Sequence, residues 1–132
     1  MLRSEVHQVL RNSTDVEELK AAASDLWENL GLSTDDIPLL TPLLSHSDAT
    51  VRYEAMCALA TEIDGKPAIG LSGVDLTPEI AATLALAAAN NDVITIYMCE
   101  GSLYRLRLAG FSSAGRLLDL LRGNPDWMKR FY

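Results

Sequence analysis

Residues Pro38 to Cys57 read P-L-L-T-P-L-L-S-H-S-D-A-T-V-R-Y-E-A-M-C, and Ile80 to Cys99 read I-A-A-T-L-A-L-A-A-A-N-N-D-V-I-T-I-Y-M-C. The two lie on each other at an offset of 42 residues, with Thr41/Thr83, Leu44/Leu86, Val51/Val93, Met56/Met98 and Cys57/Cys99 coinciding. Most other pairs are apolar on apolar or polar on polar. A period near this length, with a polar break between two apolar stretches, predicts stacked helical hairpins. Such arrays present a surface, so the pattern points first to a binding protein.

The flanking sequence extends the helical pattern. Leu2, Val6, Val9 and Leu10 fall at helical spacing, and Asn12-Ser13-Thr14-Asp15 breaks them. Ser13 or Thr14 is expected to cap a second helix running to Leu30, closed by Gly31. Ser33-Thr34-Asp35-Asp36 opens a third, in which Pro42 should kink the backbone. A long helix is expected from Thr50 to Ile63, then a Gly- and Pro-bearing connection over 64–77. A hairpin of helices at 78–90 and 93–108 follows, with Gly101 interrupting the second, then a helix striped by Leu117, Leu118, Leu120 and Leu121. The one β-branched run, Val93 to Tyr97, lies in a repeat-matched helix. The chain reads as all-α, one domain over residues 1–132.

Residues 37–63 resemble one HEAT repeat, of the armadillo-type helical repeats. The carriers are Pro42, Asp48 in the turn, the Val51-Arg52 pair opening the second helix, then Ala55, Ala58, Leu59 and Ile63. Residues 79–108 keep the spacing, but Asn90 replaces the Asp and Ile94 the Arg. The resemblance implies a short right-handed α-α superhelix of about three helical hairpins that serves as a scaffold or adaptor. It also implies that Asp48 and Arg52 fix the turn, so neither is taken as a binding residue.

Charge divides the chain. The net charge of −7 combines 16 acids against 5 bases in residues 1–100 with 2 acids against 6 bases in residues 101–132. An acidic two-thirds repels phosphates, which argues against duplex nucleic acid and for a basic protein partner. Self-association of acidic and basic ends, a homo-oligomer, would also satisfy the asymmetry. No run of about 18 apolar residues is present, which predicts no membrane partner. The first residues lack a signal peptide's apolar centre, and a cytoplasmic protein is expected.

Catalytic chemistry is hard to assemble. His46 lies in Ser-His-Ser-Asp, but neighbours on one tight turn rarely reach triad geometry, and turn chemistry explains them. No spacing suits zinc or calcium, so no metal or cofactor is expected. Gly65 to Ser72 places its lysine after the first glycine and has no preceding strand, so it fails as a phosphate loop. Glu62, Asp64 and Asp75 flank the 64–77 connection, where a solvated loop is the simpler reading than a carboxylate pair. Cys57 and Cys99 read as small buried hydrophobes rather than a disulfide, because helix axes lie ~8–10 Å apart whereas a disulfide needs Cα atoms within ~7 Å.

Two residue sets could recognise a partner. The acidic set is Asp15, Glu17, Glu18, Asp25, Glu28, Asp35, Asp36 and Glu54. The C-terminal set mixes cations and aromatics: Arg105, Arg107, Arg116, Arg122, Trp127, Lys129, Arg130, Phe131 and Tyr132. Such residue types are enriched in interface hot spots, and also bind single strands by stacking. The expected function is non-enzymatic protein binding through the acidic face, by a small adaptor or inhibitor. Small acidic helical proteins include immunity-type proteins that neutralise toxic nucleases, which sharpens the expectation to an inhibitor. The rival is a small-ligand carrier or enzyme using the 64–77 loop as a lid.

Overall fold

The computed structural model describes residues 1–71 and 73–124. Among these residues it is all-α apart from one hairpin of two two-residue strands. Helix α1 (Arg3–Asn12) buries Val6 and Leu10 against α2 (Val16–Asp25). The cap of α2 is Asp15, not Ser13 or Thr14: its carboxylate accepts from the Glu18 N–H at 2.9 Å. The Ser13 hydroxyl instead donates to the Glu18 carboxylate at 2.6 Å. Beyond Asp25 the helix widens into a π turn over Leu26–Leu30, and Gly31 turns the chain out at φ 76°. A positive φ of that size suits glycine, which carries no Cβ to clash.

A 3₁₀ turn, Thr34–Asp36, leads into α3 (Ile37–Leu40), and the chain tightens again to 3₁₀ over Thr41–Ser45. The kink expected at Pro42 takes this form, since Pro42 has no N–H to reach back to the carbonyl four residues earlier. Helix α4 (Ala49–Leu59) is capped by Asp48, which accepts from the Thr50 and Val51 N–H groups at 2.8 and 3.2 Å.

Helix α4 stops short of the expected Ile63. Strands β1 (Glu62–Ile63) and β2 (Lys66–Pro67) pair antiparallel there, Glu62 opposite Pro67 and Ile63 opposite Lys66. Asp64 and Gly65 turn the hairpin at φ 51° and 78°. Both central residues at positive φ is the turn that Asp-Gly favours, so this dipeptide held the missed signal. A 3₁₀ turn, Ala68–Gly70, then carries Ala68 and Ile69 fully into the core. Gly70 permits the approach, because a Cβ there would stand 2.8 Å from the Cβ of Ala109.

Helix α5 (Thr77–Ala89) is followed by α6 (Val93–Leu108), capped by Asp92 on the Thr95 N–H at 3.1 Å. Gly101 does not interrupt α6, which continues through it. Helix α7 (Ser112–Arg122) buries Ala114, Gly115, Leu118 and Leu121, while Leu120 points to solvent, 74% exposed, and leaves the expected stripe. Helix α4 packs against α2 on one side and α6 on the other; α6 also meets α5 and α7. Helix α5 meets the 3₁₀ turn Thr41–Ser45, to which the Thr83 hydroxyl is tied through the Leu44 carbonyl.

The match at offset 42 does not survive in the burial pattern. In each of its five coincident pairs one residue is buried and the other only half-buried. The first helices correspond at 40 residues, with Pro38 and Pro78 both in a first turn and Leu40/Ile80 and Leu43/Thr83 both buried. The second helices correspond at 44, from cap Asp48 to cap Asp92. There Val51/Thr95, Arg52/Ile96, Ala55/Cys99, Ala58/Ser102 and Leu59/Leu103 are buried in both. Helix α5 is one turn longer than its counterpart, and 42 is the compromise between two registers. Cys57 is accordingly half-buried, not a core residue like Cys99.

Candidate functional site

The structure separates the acidic set. Asp15, Glu17, Glu18, Glu28 and Asp35 are exposed, and Asp25 and Glu54 are half-buried. Asp15, Glu17 and Glu18 cluster at the start of α2 for a local reason, since orphan N–H groups there favour negative charge. Lys20 reaches Glu17 at 3.5 Å, a solvent-exposed pair of small worth. Asp25 accepts from the Asn29 amide at 2.7 Å and stands 3.4 Å from the Met1 amine. The Asn29 bond leads the effects that hold its carboxyl below the usual range.

The π turn that follows this acidic helix also reaches α4. Its Trp27 indole N–H donates to the Glu54 carboxylate at 3.1 Å. Glu28 and Glu54 both lie close enough to raise the Cys57 thiol, after burial, which is the larger cause. Glu28 of the π turn and Glu54 of α4 therefore lie near each other, around Cys57.

Asp36 is a correction. It is fully buried and cannot face a partner. Its carboxylate takes the Arg3 guanidinium, the His7 Nε2 at 2.6 Å and the Ser33 N–H at 2.8 Å. Arg3 also donates to the Gly31 carbonyl at 2.7 Å. A buried charge persists only with such partners, so Asp36 is a joint between α1 and the start of α3.

The C-terminal set is partly spent on internal contacts. Trp127, Lys129, Arg130, Phe131 and Tyr132 lie outside the described residues. Arg122 forks onto Glu100 at 2.9 and 3.1 Å, and its guanidinium lies 5.9 Å from the Tyr104 ring centre. Arg107 lies 5.2 Å from the same centre, and its stem packs on Gly115, where a Cβ would stand 3.0 Å away. Arg105 lies over Gly101, and Arg116 is exposed.

Other residues at the surface escaped the sequence reading. Ile94, Tyr97, Tyr104 and Leu108 stand exposed along α6. Their spacing is itself helical, and that spacing is the signal that could have found them. A groove of about 800 Å³ opens between α3 with its 3₁₀ extension and the segment entering α5, lined by Ile37, Pro38, Pro42, Leu71, Val74, Asp35 and Glu79 among others.

The connection over 64–77 does not gather carboxylates. Asp75 stands just before α5: it accepts from the Thr77 N–H at 2.9 Å and from the Ser113 hydroxyl, tying the starts of α5 and α7. Burial pushes its carboxyl up, but the bonds from Ser113 and Thr77 outweigh that and hold it below the usual range. His46 and Asp48 likewise serve the turn, with the Asp48 N–H donating to His46 Nδ1 at 3.0 Å. Arg52 is fully buried and donates to the His46 and Ser47 carbonyls at 2.8 and 2.9 Å.

Among the described residues no group of three or more His, Cys, Asp or Glu could hold a metal ion, and no helix is long and apolar enough to cross a membrane. Comparison with protein-family models, curated proteins and solved structures gave no match.

Proposed function

We propose that this chain is a non-enzymatic protein-binding module, a small adaptor or immunity-type inhibitor, whose acidic surface on α2, the π turn and α4 meets a basic protein. The observation that carries the reading is the bond from the Trp27 indole N–H to Glu54, which ties the π turn at the end of the acidic helix α2 to α4. Lys20 is the one cation within α2 and its π turn. The stacked, HEAT-like reading of the hairpins belongs to the same proposal, supported by the matched burial of α4 and α6 and by the shared capping aspartates. Complementary charge acts mostly on the encounter rate. Association with the partner should therefore slow steeply as ionic strength rises, measured by stopped-flow or surface plasmon resonance. An on-rate indifferent to salt would remove the acidic surface from the account.

The rival reading, a small-ligand carrier lidded by residues 64–77, has the 800 Å³ groove in its favour. A hinged lid there would have to draw Ala68 and Ile69 out of the core, however, which favours a fixed surface groove.

A further inference from the structure

The groove beside α3 differs in chemistry from the acidic surface on α2. Its apolar walls come from Ile37 and Pro38 on one side and Leu71 and Val74 on the other. Among the described residues Asp35 and Glu79 are the only charged ones in its lining, and both are acids. Glu79 Oε2 is shut off from solvent without a hydrogen-bond partner. Among the described residues the lining is thus apolar with two acids and no cation. A cationic group complements such a lining in charge.

From this we infer that the groove receives an arginine-bearing segment of the protein partner, with the guanidinium set between Asp35 and Glu79. Guanidinium fits better than ammonium for two reasons. It carries five N–H donors in a planar fork, which can meet two carboxylates at once. It is also more weakly hydrated, so it enters an apolar cleft at smaller cost. Its aliphatic stem would cover Leu71 and Pro38 while the head group meets the acids. A volume of about 800 Å³ exceeds one side chain and accommodates neighbouring residues of the segment. The inference rests on the protein-binding reading above and gives it a second, more specific contact.

The test is a titration of ¹⁵N-labelled protein with the blocked tripeptides acetyl-Gly-Arg-Gly-amide, its lysine counterpart and its citrulline counterpart. The arginine peptide should move amide signals within residues 34–45 and 71–79, the lysine peptide several-fold more weakly, and the uncharged citrulline peptide not at all. Glu79→Gln, near-isosteric and therefore folded, should weaken the arginine peptide at least about fivefold. Asp35→Asn, at an exposed site on the other wall, should act in the same direction. Shifts confined to α2 and α4 would overturn the groove while leaving the wider acidic-surface reading in place. Absence of shifts, equal response to citrulline, or unchanged binding by Glu79→Gln would also overturn it.

Discussion

The carboxylate of Asp36 and the imidazole of His7 meet at 2.6 Å, so the first helix is held to the start of the third by a group with no solvent exposure. Asp36→Ala leaves the Ser33 N–H and the inner face of Arg3 without their acceptor. The expected loss is about 2–3 kcal/mol, the scale of buried hydrogen bonds to a charged group. Arg3→Ala should cost less, because Arg3 is already one-third exposed. Urea unfolding of the two variants checks the order.

Ile69 decides whether the 64–77 segment is structure or cover. It is fully buried among core side chains, so Ile69→Ala should cost about 2–5 kcal/mol, as for other large-to-small core changes. Thermal denaturation would show it. A loss below about 0.5 kcal/mol would restore a loosely held loop.

Arg52 carries a positive charge into the core with its Nε and one terminal nitrogen unpartnered. Arg52→Met keeps much of the volume and removes the buried charge, whereas Arg52→Ala also opens a cavity. Met should therefore be better tolerated than Ala by at least about 1 kcal/mol in chemical denaturation.

The two thiols should behave differently. Burial, with Asp92 nearby, pushes the Cys99 thiol from 9.0 up to about 12, against the smaller opposing effect of Arg52. In the native protein N-ethylmaleimide should modify half-buried Cys57 at least about tenfold faster than Cys99. Both should react when unfolded. Because Cys99 holds its proton longer folded than unfolded, its contribution to stability is fully present below pH 9 and is lost as pH rises towards 12. Cys99→Ala should flatten that alkaline decline.

Helices were legible because their apolar spacing and caps are local properties. Gly31 stands where capping chemistry placed it, and Asp48, read only as a turn residue, caps α4. Register was not legible. Five identities at offset 42 outweighed the better cues, the paired Pro38/Pro78 and Asp48/Asp92, because α5 gained a turn that identity counting cannot see. The Asp64-Gly65 hairpin was overlooked since a helix was already assigned up to Ile63. Asp36 was counted as a surface acid because its partners, Arg3 and His7, lie about thirty residues away in sequence. The surface acids of α2 were legible as composition, but the Trp27–Glu54 bond rests on a π turn that the sequence pattern does not announce.

The most direct measurement is capture from native host lysate on immobilised protein, run beside the double variant Glu17→Lys, Glu28→Lys with its folding checked by circular dichroism. Both residues are exposed, so stability should change little. The account predicts one basic protein held in stoichiometric amount by the wild type at low salt, released at high salt and absent from the variant. The same proteins on both columns, or none on the wild type, would contradict it.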